Sequence, residues 1–177
     1  FADVLFAEDV SELERPVLTD EKGTPTGEPI TVTSKITPEQ LRYFEDVKRR
    51  WENMLPQSQR GPDDDNPLTL SNDGRFASCD LRLRIPATKD SANTKINQVV
   101  ANVVRIHFDP QYAKDKRTQL VFLDLGTPLK TRTRGIDLYA DIKKKLVAKG
   151  IPASEIAFIH ESTNDEKRLA LFDDVND

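Results

Sequence analysis

The fold is predicted from one stretch, residues 119–175, which reads QLVFLDLGTPLKTRTRGIDLYADIKKKLVAKGIPASEIAFIHESTNDEKRLALFDDV. Its two short apolar runs, residues 120–123 and 156–159, are typical of buried strands. A helical pattern follows each run, over residues 135–150 and again from Thr163. Because strands and helices that alternate through short links form parallel units, the stretch predicts a right-handed βαβα arrangement. The predicted fold class is therefore α/β.

Both of these helices carry boundary signals. Gly150 lies where a left-handed C-cap is expected, and Pro152 follows just beyond it. Thr163 is predicted to be the N-cap of the last helix, with Glu166 three residues later completing a capping box.

Two more helices are predicted upstream. The first starts at Thr37-Pro-Glu-Gln40, with threonine as N-cap and proline at the first helical position. Its apolar stripe includes Trp51, which we expect to pack in the core; the alternative is a stacking platform for a nucleobase. The second spans about residues 96–108, where His107 is expected to pack on the apolar side.

The remaining segments are less regular. Residues 1–35 predict a β-hairpin appendage around the turn-rich residues 20–27, separate from residues 36–177. Residues 66–85 lack a clear period and contain an Asn72-Asp-Gly74 turn signal. This segment carries three arginines: Arg75, Arg82 and Arg84. They contact phosphates, or they pair with two aspartates of the same segment, Asp73 and Asp80.

Composition narrows the function classes. The 177 residues suffice for one domain with an appendage, and the net charge of −4 argues against attraction of nucleic acid to the whole surface, although a local basic patch remains possible. The single cysteine, Cys79, excludes an internal disulfide and fits a reducing cytosol, so we expect a cytoplasmic protein. The first residue is Phe1, and we interpret the chain as a piece of a larger protein.

No self-sufficient enzyme signature is present in the sequence. It contains no G-x-x-x-x-G-K-[ST] phosphate loop, no G-x-G-x-x-G after a strand and no G-x-S-x-G. The acidic run at residues 63–65 lacks the glycine spacing of a cation-binding loop and predicts a solvated turn. We therefore expect no catalytic residue, no metal site and no cofactor held by this chain itself.

Two loops are candidates for ligand binding. In open parallel sheets, ligands bind beyond the carboxyl ends of the strands, which here are residues 124–134 and 160–163. The first loop combines Lys130 and Arg132 with threonine hydroxyls, donors that suit a phosphodiester backbone. The second places Ser162 and Thr163 at a helix N-terminus, which favours anions. The alternative is that Thr163 only caps its helix and that the cations only solvate a loop.

The motifs in this order resemble those of superfamily 2 helicases of the Swi/Snf-like branch. Residues 120–124, residues 156–163 and the Asp165-Glu-Lys-Arg168 to Phe172 pattern are similar to the first half of the C-terminal RecA-like lobe. Over residues 66–177 the chain also resembles the helicase regions of methylase–helicase proteins of phages and mobile elements, the antirestriction type. The resemblance implies a partial RecA-like parallel sheet with additional packed helices.

The resemblance also implies a function. The chain is expected to be a fragment of an ATP-dependent DNA helicase or translocase, inactive in isolation. ATP and Mg are cofactors of the intact parent, and the partners are DNA and the first RecA-like lobe. The expected nucleic-acid-binding residues are Thr127, Lys130, Arg132, His160, Ser162 and Thr163. The alternatives are a non-catalytic protein-interaction module of a larger DNA-processing protein and, disfavoured by the missing phosphate loop, a small nucleotide-binding α/β enzyme.

Overall fold

The computed structural model describes residues 17–20, 22–112, 118–125 and 136–176, and within these ranges the protein is all-α. Its regular elements in this part of the chain are five α-helices: α1 (Pro38–Glu52), α2 (Pro67–Cys79), α3 (Lys95–His107), α4 (Leu138–Ala148) and α5 (Asp165–Asn176). Short 3₁₀ turns lie between them at Gln57–Gln59, Leu81–Leu83, Pro110–Tyr112, Ala153–Glu155 and Ile159–Glu161. None of the described helices is long and apolar enough to cross a membrane.

The predicted α/β fold is wrong, because neither apolar run forms a strand and the described residues contain no sheet. Leu123 and Ile156 pack on the helical core, whereas Phe122 remains 87% exposed. Ile156 has extended dihedrals, but a 3₁₀ turn begins at Ile159 before any pairing develops. An apolar run of four residues is compatible with a strand or with an extended segment lying on helices, and its period alone does not separate the two.

Residues Phe1–Thr33 form a compact unit of their own, separate from Ser34–Asp177. In its described part the strands of the predicted β-hairpin are absent, and one isolated antiparallel bridge joins Thr19 to Pro25. The reversal is held by the Asp20 carboxylate, which accepts hydrogen bonds of 2.8 Å from the backbone N–H groups of residues 22 and 24. Two strands without a further surface are marginal, so the chain forms the turn and not the ladder.

The predicted start of α1 is confirmed. The Thr37 hydroxyl accepts a hydrogen bond from the Gln40 backbone N–H at 3.1 Å, and the Gln40 side chain accepts one from the Thr37 N–H at 3.0 Å. Gln40 also donates to the Ala77 carbonyl at 2.9 Å, which ties α1 to α2. The predicted core position of Trp51 is wrong, since this residue is 49% exposed. Among the residues of α1, the fully buried one is the polar Gln40, while Phe44 and Val47 of the apolar stripe are half-buried and Leu41 is exposed.

Helix α2 occupies the segment that lacked a clear period. Asn66 is its N-cap and accepts a hydrogen bond from the Thr69 N–H at 2.9 Å, and Pro67 takes the first helical position. The predicted turn at residues 72–74 is therefore wrong. Leu70, Asp73 and Ala77 lie at helical spacing and are all buried. Packing of this face outweighs the local turn preference.

The main core lies between α3 and α4. Its buried members are Cys79, Ile96, Val100, Leu138, Ile142, Leu146 and Ile151. The predicted helix over about residues 96–108 and the left-handed C-cap of α4 are both confirmed. Gly150 has φ of +99°, and the Ile151 N–H donates to the Leu146 carbonyl at 3.2 Å in a Schellman motif. This turn carries Ile151 directly into the core.

The predicted N-cap of the last helix is wrong by one residue. Asn164, and not Thr163, accepts a hydrogen bond from the Lys167 N–H, at 2.9 Å. Asparagine is at least as good an N-cap as threonine, so the local competition favours it. Helix α5 is largely exposed: Leu169 is 64% and Phe172 51% accessible.

Gly74 provides a test of α2. A Cβ added at this position would meet no atom within 4 Å, and the φ of Gly74 is not positive. We expect Gly74→Ala to raise the free energy of unfolding, measured in urea, by about 0.5–1 kcal/mol, because alanine is the better helix former.

Gly150→Ala is the matched control, because the positive φ of Gly150 strains any side chain. It should lower the free energy of unfolding by about 1 kcal/mol. Destabilisation by Gly74→Ala as well would contradict the helix and restore the turn at residues 72–74.

Candidate nucleic-acid interface

The ends of the two apolar segments converge on the first turn of α4. The Tyr139 hydroxyl donates a hydrogen bond to the Leu123 carbonyl at 3.0 Å. The Tyr139 ring centroid lies 5.7 Å from that of Phe158 and 5.1 Å from that of His160. We call this cluster of Leu123, Tyr139, Phe158 and His160 the Tyr139 junction. The sequence predicts that the segments after residues 124 and 160 lie close together, and one tyrosine joins them here without a sheet.

The three rings of the junction are ordered relative to one another. Phe158 and His160 stack with centroids 5.3 Å apart and planes inclined by 18°. Tyr139 stands nearly perpendicular to both, at 75° and 89°. Such edge-to-face and offset-stacked pairs are the preferred aromatic geometries, so they favour a defined arrangement of the rings.

One cation borders the rings, and a second contacts the segment that follows His160. Lys143, one turn after Tyr139, donates to the Ile156 carbonyl at 3.0 Å, and its Nζ lies 5.3 Å from the Phe158 centroid. Arg168 reaches back from α5 and donates to the Ser162 carbonyl at 3.3 Å. The sequence interpretation missed Tyr139, Phe158 and Lys143 as site residues and did not select Arg168. The spacing of Tyr139 and Lys143 on one helical face was the available signal.

The residues predicted to bind nucleic acid do not all lie in the part of the chain that the structure describes. Thr127, Lys130 and Arg132 lie outside the described residues, and the predicted first loop falls largely among them. His160 lies in the Tyr139 junction, and the Ser162 carbonyl contacts Arg168.

The helix N-terminus beside Ser162 and Thr163 is capped by the Asn164 side chain and carries two carboxylates in its first turn. The Ser162 N–H already donates to the Ile159 carbonyl at 3.1 Å. Asp165 and Glu166 fill the first turn of α5. Carboxylates at a helix N-terminus satisfy its dipole and repel a second anion. Thr163 is exposed and is not the cap.

Two of the three arginines of residues 75–84 pair with aspartates, whereas Arg75 is exposed. Arg82 is 8% exposed and forms a fork on Asp80, with distances of 2.9 and 2.7 Å, while its Nη2 also donates to Asp141 at 2.9 Å. Arg84 pairs with the buried Asp73. The structural interpretation, in which Asp73 and Asp80 hold these arginines, is therefore confirmed for Arg82 and Arg84.

Burial and neighbouring charges shift the pKa values of three side chains in this region. The hydrogen bonds that Arg82 donates to Asp80 raise the pKa of Arg82 above its usual value, despite burial. Burial opposes ionisation of Asp90, but hydrogen bonds from Lys145 and Asn97 and nearby positive charge lower its pKa. Burial, assisted by the negative charge of Asp80, raises the pKa of the Cys79 thiol. A buried thiol of this kind is a packing group and not an activated nucleophile.

Comparison of the chain with protein-family models, curated proteins and solved structures yields no match. Within the described ranges, no group of three His, Cys, Asp or Glu residues is placed to hold a metal ion.

The Arg82 pairs generate a stability prediction. Arg82→Ala leaves Asp80, which is 1% exposed, buried without its cation. We expect the free energy of unfolding in urea to fall by about 3–5 kcal/mol. Arg49→Ala removes a cation whose side chain is 73% exposed and should cost less than about 1 kcal/mol. Equal small losses for both variants would contradict the structural role of Arg82.

Proposed function

We propose that this chain contributes a DNA-contacting surface to a cytoplasmic ATP-dependent helicase or translocase. In this proposal the chain does not hydrolyse ATP by itself. ATP and Mg bind to another domain of the parent protein, which is the partner of this chain. The chain's own part is to hold DNA at the Tyr139 junction and through Lys130 and Arg132, which precede Tyr139 in the sequence.

The proposal is supported by a coincidence between motif order and geometry. The motif segments at residues 120–124 and 156–163 resemble helicase motifs in order. In the structure, the ends of both segments meet at Tyr139. This convergence is the observation that carries the proposal, because a nucleic-acid track requires the two segments on one surface.

The junction also has the chemistry that a nucleic acid requires. Nucleobases stack on aromatic rings, and phosphates bind to cationic side chains. Phe158 and His160 supply the rings, and Lys143 and Arg168 supply the charges. The sequence between Leu125 and Ile136, which was predicted to bind nucleic acid, adds Lys130 and Arg132.

A salt titration of DNA binding tests the proposal. For single strands, the logarithm of the binding constant falls with that of the salt concentration by about 0.7 per phosphate contact. In fluorescence anisotropy at low and moderate salt, Lys143→Gln/Arg168→Gln should weaken binding and reduce this slope by up to about 1.4. Lys130→Ala/Arg132→Ala should act in the same direction.

Lys48→Gln/Arg49→Gln is the matched control, because it removes the same charge from exposed positions on α1. It should change the slope little. A control that weakens binding as much as the junction variant would show non-specific attraction and contradict the assignment. Absence of DNA binding by the wild type at low salt would contradict the proposal itself.

A second candidate is the non-catalytic protein-interaction module. It is favoured by the exposed apolar side chains of α5, where Leu169 is 64% and Phe172 51% accessible, and by Phe122 at 87%. Contiguous exposed apolar groups often mark surfaces that bind another protein. Failure of the wild type to bind DNA at low salt would favour this candidate.

A further inference from the structure

We propose that His160 is a stacking platform for an unpaired nucleobase, so that the Tyr139 junction binds single-stranded DNA in preference to duplex DNA. This inference rests on the proposed function and names the form of DNA that the surface takes. It is carried by the ring geometry of the junction and by the exposure of His160.

The His160 ring is supported from the protein side. His160 is exposed and Phe158 is half-buried, and their ring planes lie within 18° of parallel. Phe158 therefore stacks against the imidazole from the protein side, and the exposure of His160 leaves ring surface open to a ligand. A nucleobase that stacks there would extend an aromatic column which the protein has already begun.

The platform is also held in position. Tyr139 meets His160 at 89° and is itself anchored to the Leu123 carbonyl by a 3.0 Å hydrogen bond. The 3₁₀ turn that carries His160 is closed by a hydrogen bond of 3.0 Å from the Glu161 N–H to the Phe158 carbonyl. A side chain ordered before binding loses less conformational entropy when its ligand arrives.

The surroundings favour a base over a phosphate as the main contact. Lys143 lies beside Phe158, and Arg168 contacts the Ser162 carbonyl, two residues after His160. Arg168 is also paired with Asp165 at 3.2 Å, and Glu161 adds a further carboxylate next to His160. Because the side chains around His160 carry little net positive charge, we expect the binding of DNA at His160 to depend on stacking with the uncharged face of a base.

Single strands present such a face and duplexes do not. Unpaired bases stack on the rings of Phe, Tyr, Trp and His, whereas the bases of a duplex are covered by their neighbours. In this arrangement, the phosphate next to the stacked nucleotide is expected to contact Lys143 or Arg168. The junction therefore fits one nucleotide of a single strand.

The test compares three DNA probes on the full chain by fluorescence anisotropy. The probes are an oligothymidylate of about 12 nucleotides, an abasic strand of the same length and a blunt duplex. His160→Ala should weaken thymidylate binding by about 5- to 150-fold and leave abasic binding unchanged. His160→Phe keeps a stacking ring and should retain thymidylate binding.

A fluorescent base gives a second readout. The wild type and His160→Phe should quench an oligonucleotide that contains 2-aminopurine, and His160→Ala should not. Because His160 is exposed, its truncation is expected to remove the ring contacts with Phe158 and Tyr139 without opening the core. His160→Phe keeps an aromatic ring at this position. If it still binds thymidylate, weaker binding by His160→Ala is due to the missing ring and not to misfolding.

The outcomes separate the two proposals. If His160→Ala affects thymidylate and abasic strands equally, or affects neither, the stacking inference is overturned while DNA binding by the wild type still supports the proposed function. Equal wild-type affinity for duplex and single strand also overturns the inference alone. If the wild type binds none of the three probes at low salt, the proposed function fails and the inference fails with it.

Discussion

The buried contact of Arg82 with Asp80 and Asp141 is the interaction on which the rest of the helical structure depends. It joins the 3₁₀ turn after α2 to the first turn of α4, and Lys145 extends the network from Asp141 to Asp90 at 2.6 and 2.8 Å. Buried charges are tolerated only when they are paired with good geometry, so this network orients α4. Tyr139 belongs to the same turn as Asp141, and the position of the junction therefore follows from an ion pair in the core.

Features determined by neighbouring residues were predictable from the sequence. The capping box at Thr37 and the Schellman turn at Gly150 depend on residues within a few positions, and both were predicted correctly. The N-D-G signal at residues 72–74 failed for the opposite reason. Asp73 accepts a hydrogen bond of 3.0 Å from Arg50 and forms an ion pair with Arg84. Both arginines lie outside α2, so a local sequence pattern does not contain these contacts.

The candidate site was predictable only in outline. Two segments that flank one helix were expected to end close together, and they do so at Tyr139. The predicted sheet between them is absent, because Leu123 and Ile156 pack on the helical core instead. The pattern of a short apolar run does not distinguish these two arrangements. The three consecutive lysines of α4 were equally ambiguous. Successive helical positions point about 100° apart, so Lys143 enters the junction, Lys144 is exposed and Lys145 joins the buried network.

The net charge of −4 does not determine the local field at the junction. Several aspartates, including Asp73, Asp80 and Asp141, are paired with cations inside the protein and contribute little to the field outside. Lys143 and Arg168 remain at the rim, and Arg168 is partly neutralised by Asp165. In the proposed complex with DNA, so few phosphate contacts imply a shallow salt dependence, and the affinity is expected to come largely from stacking. The proposed preference for single strands therefore follows from the rings of the junction and not from its charge.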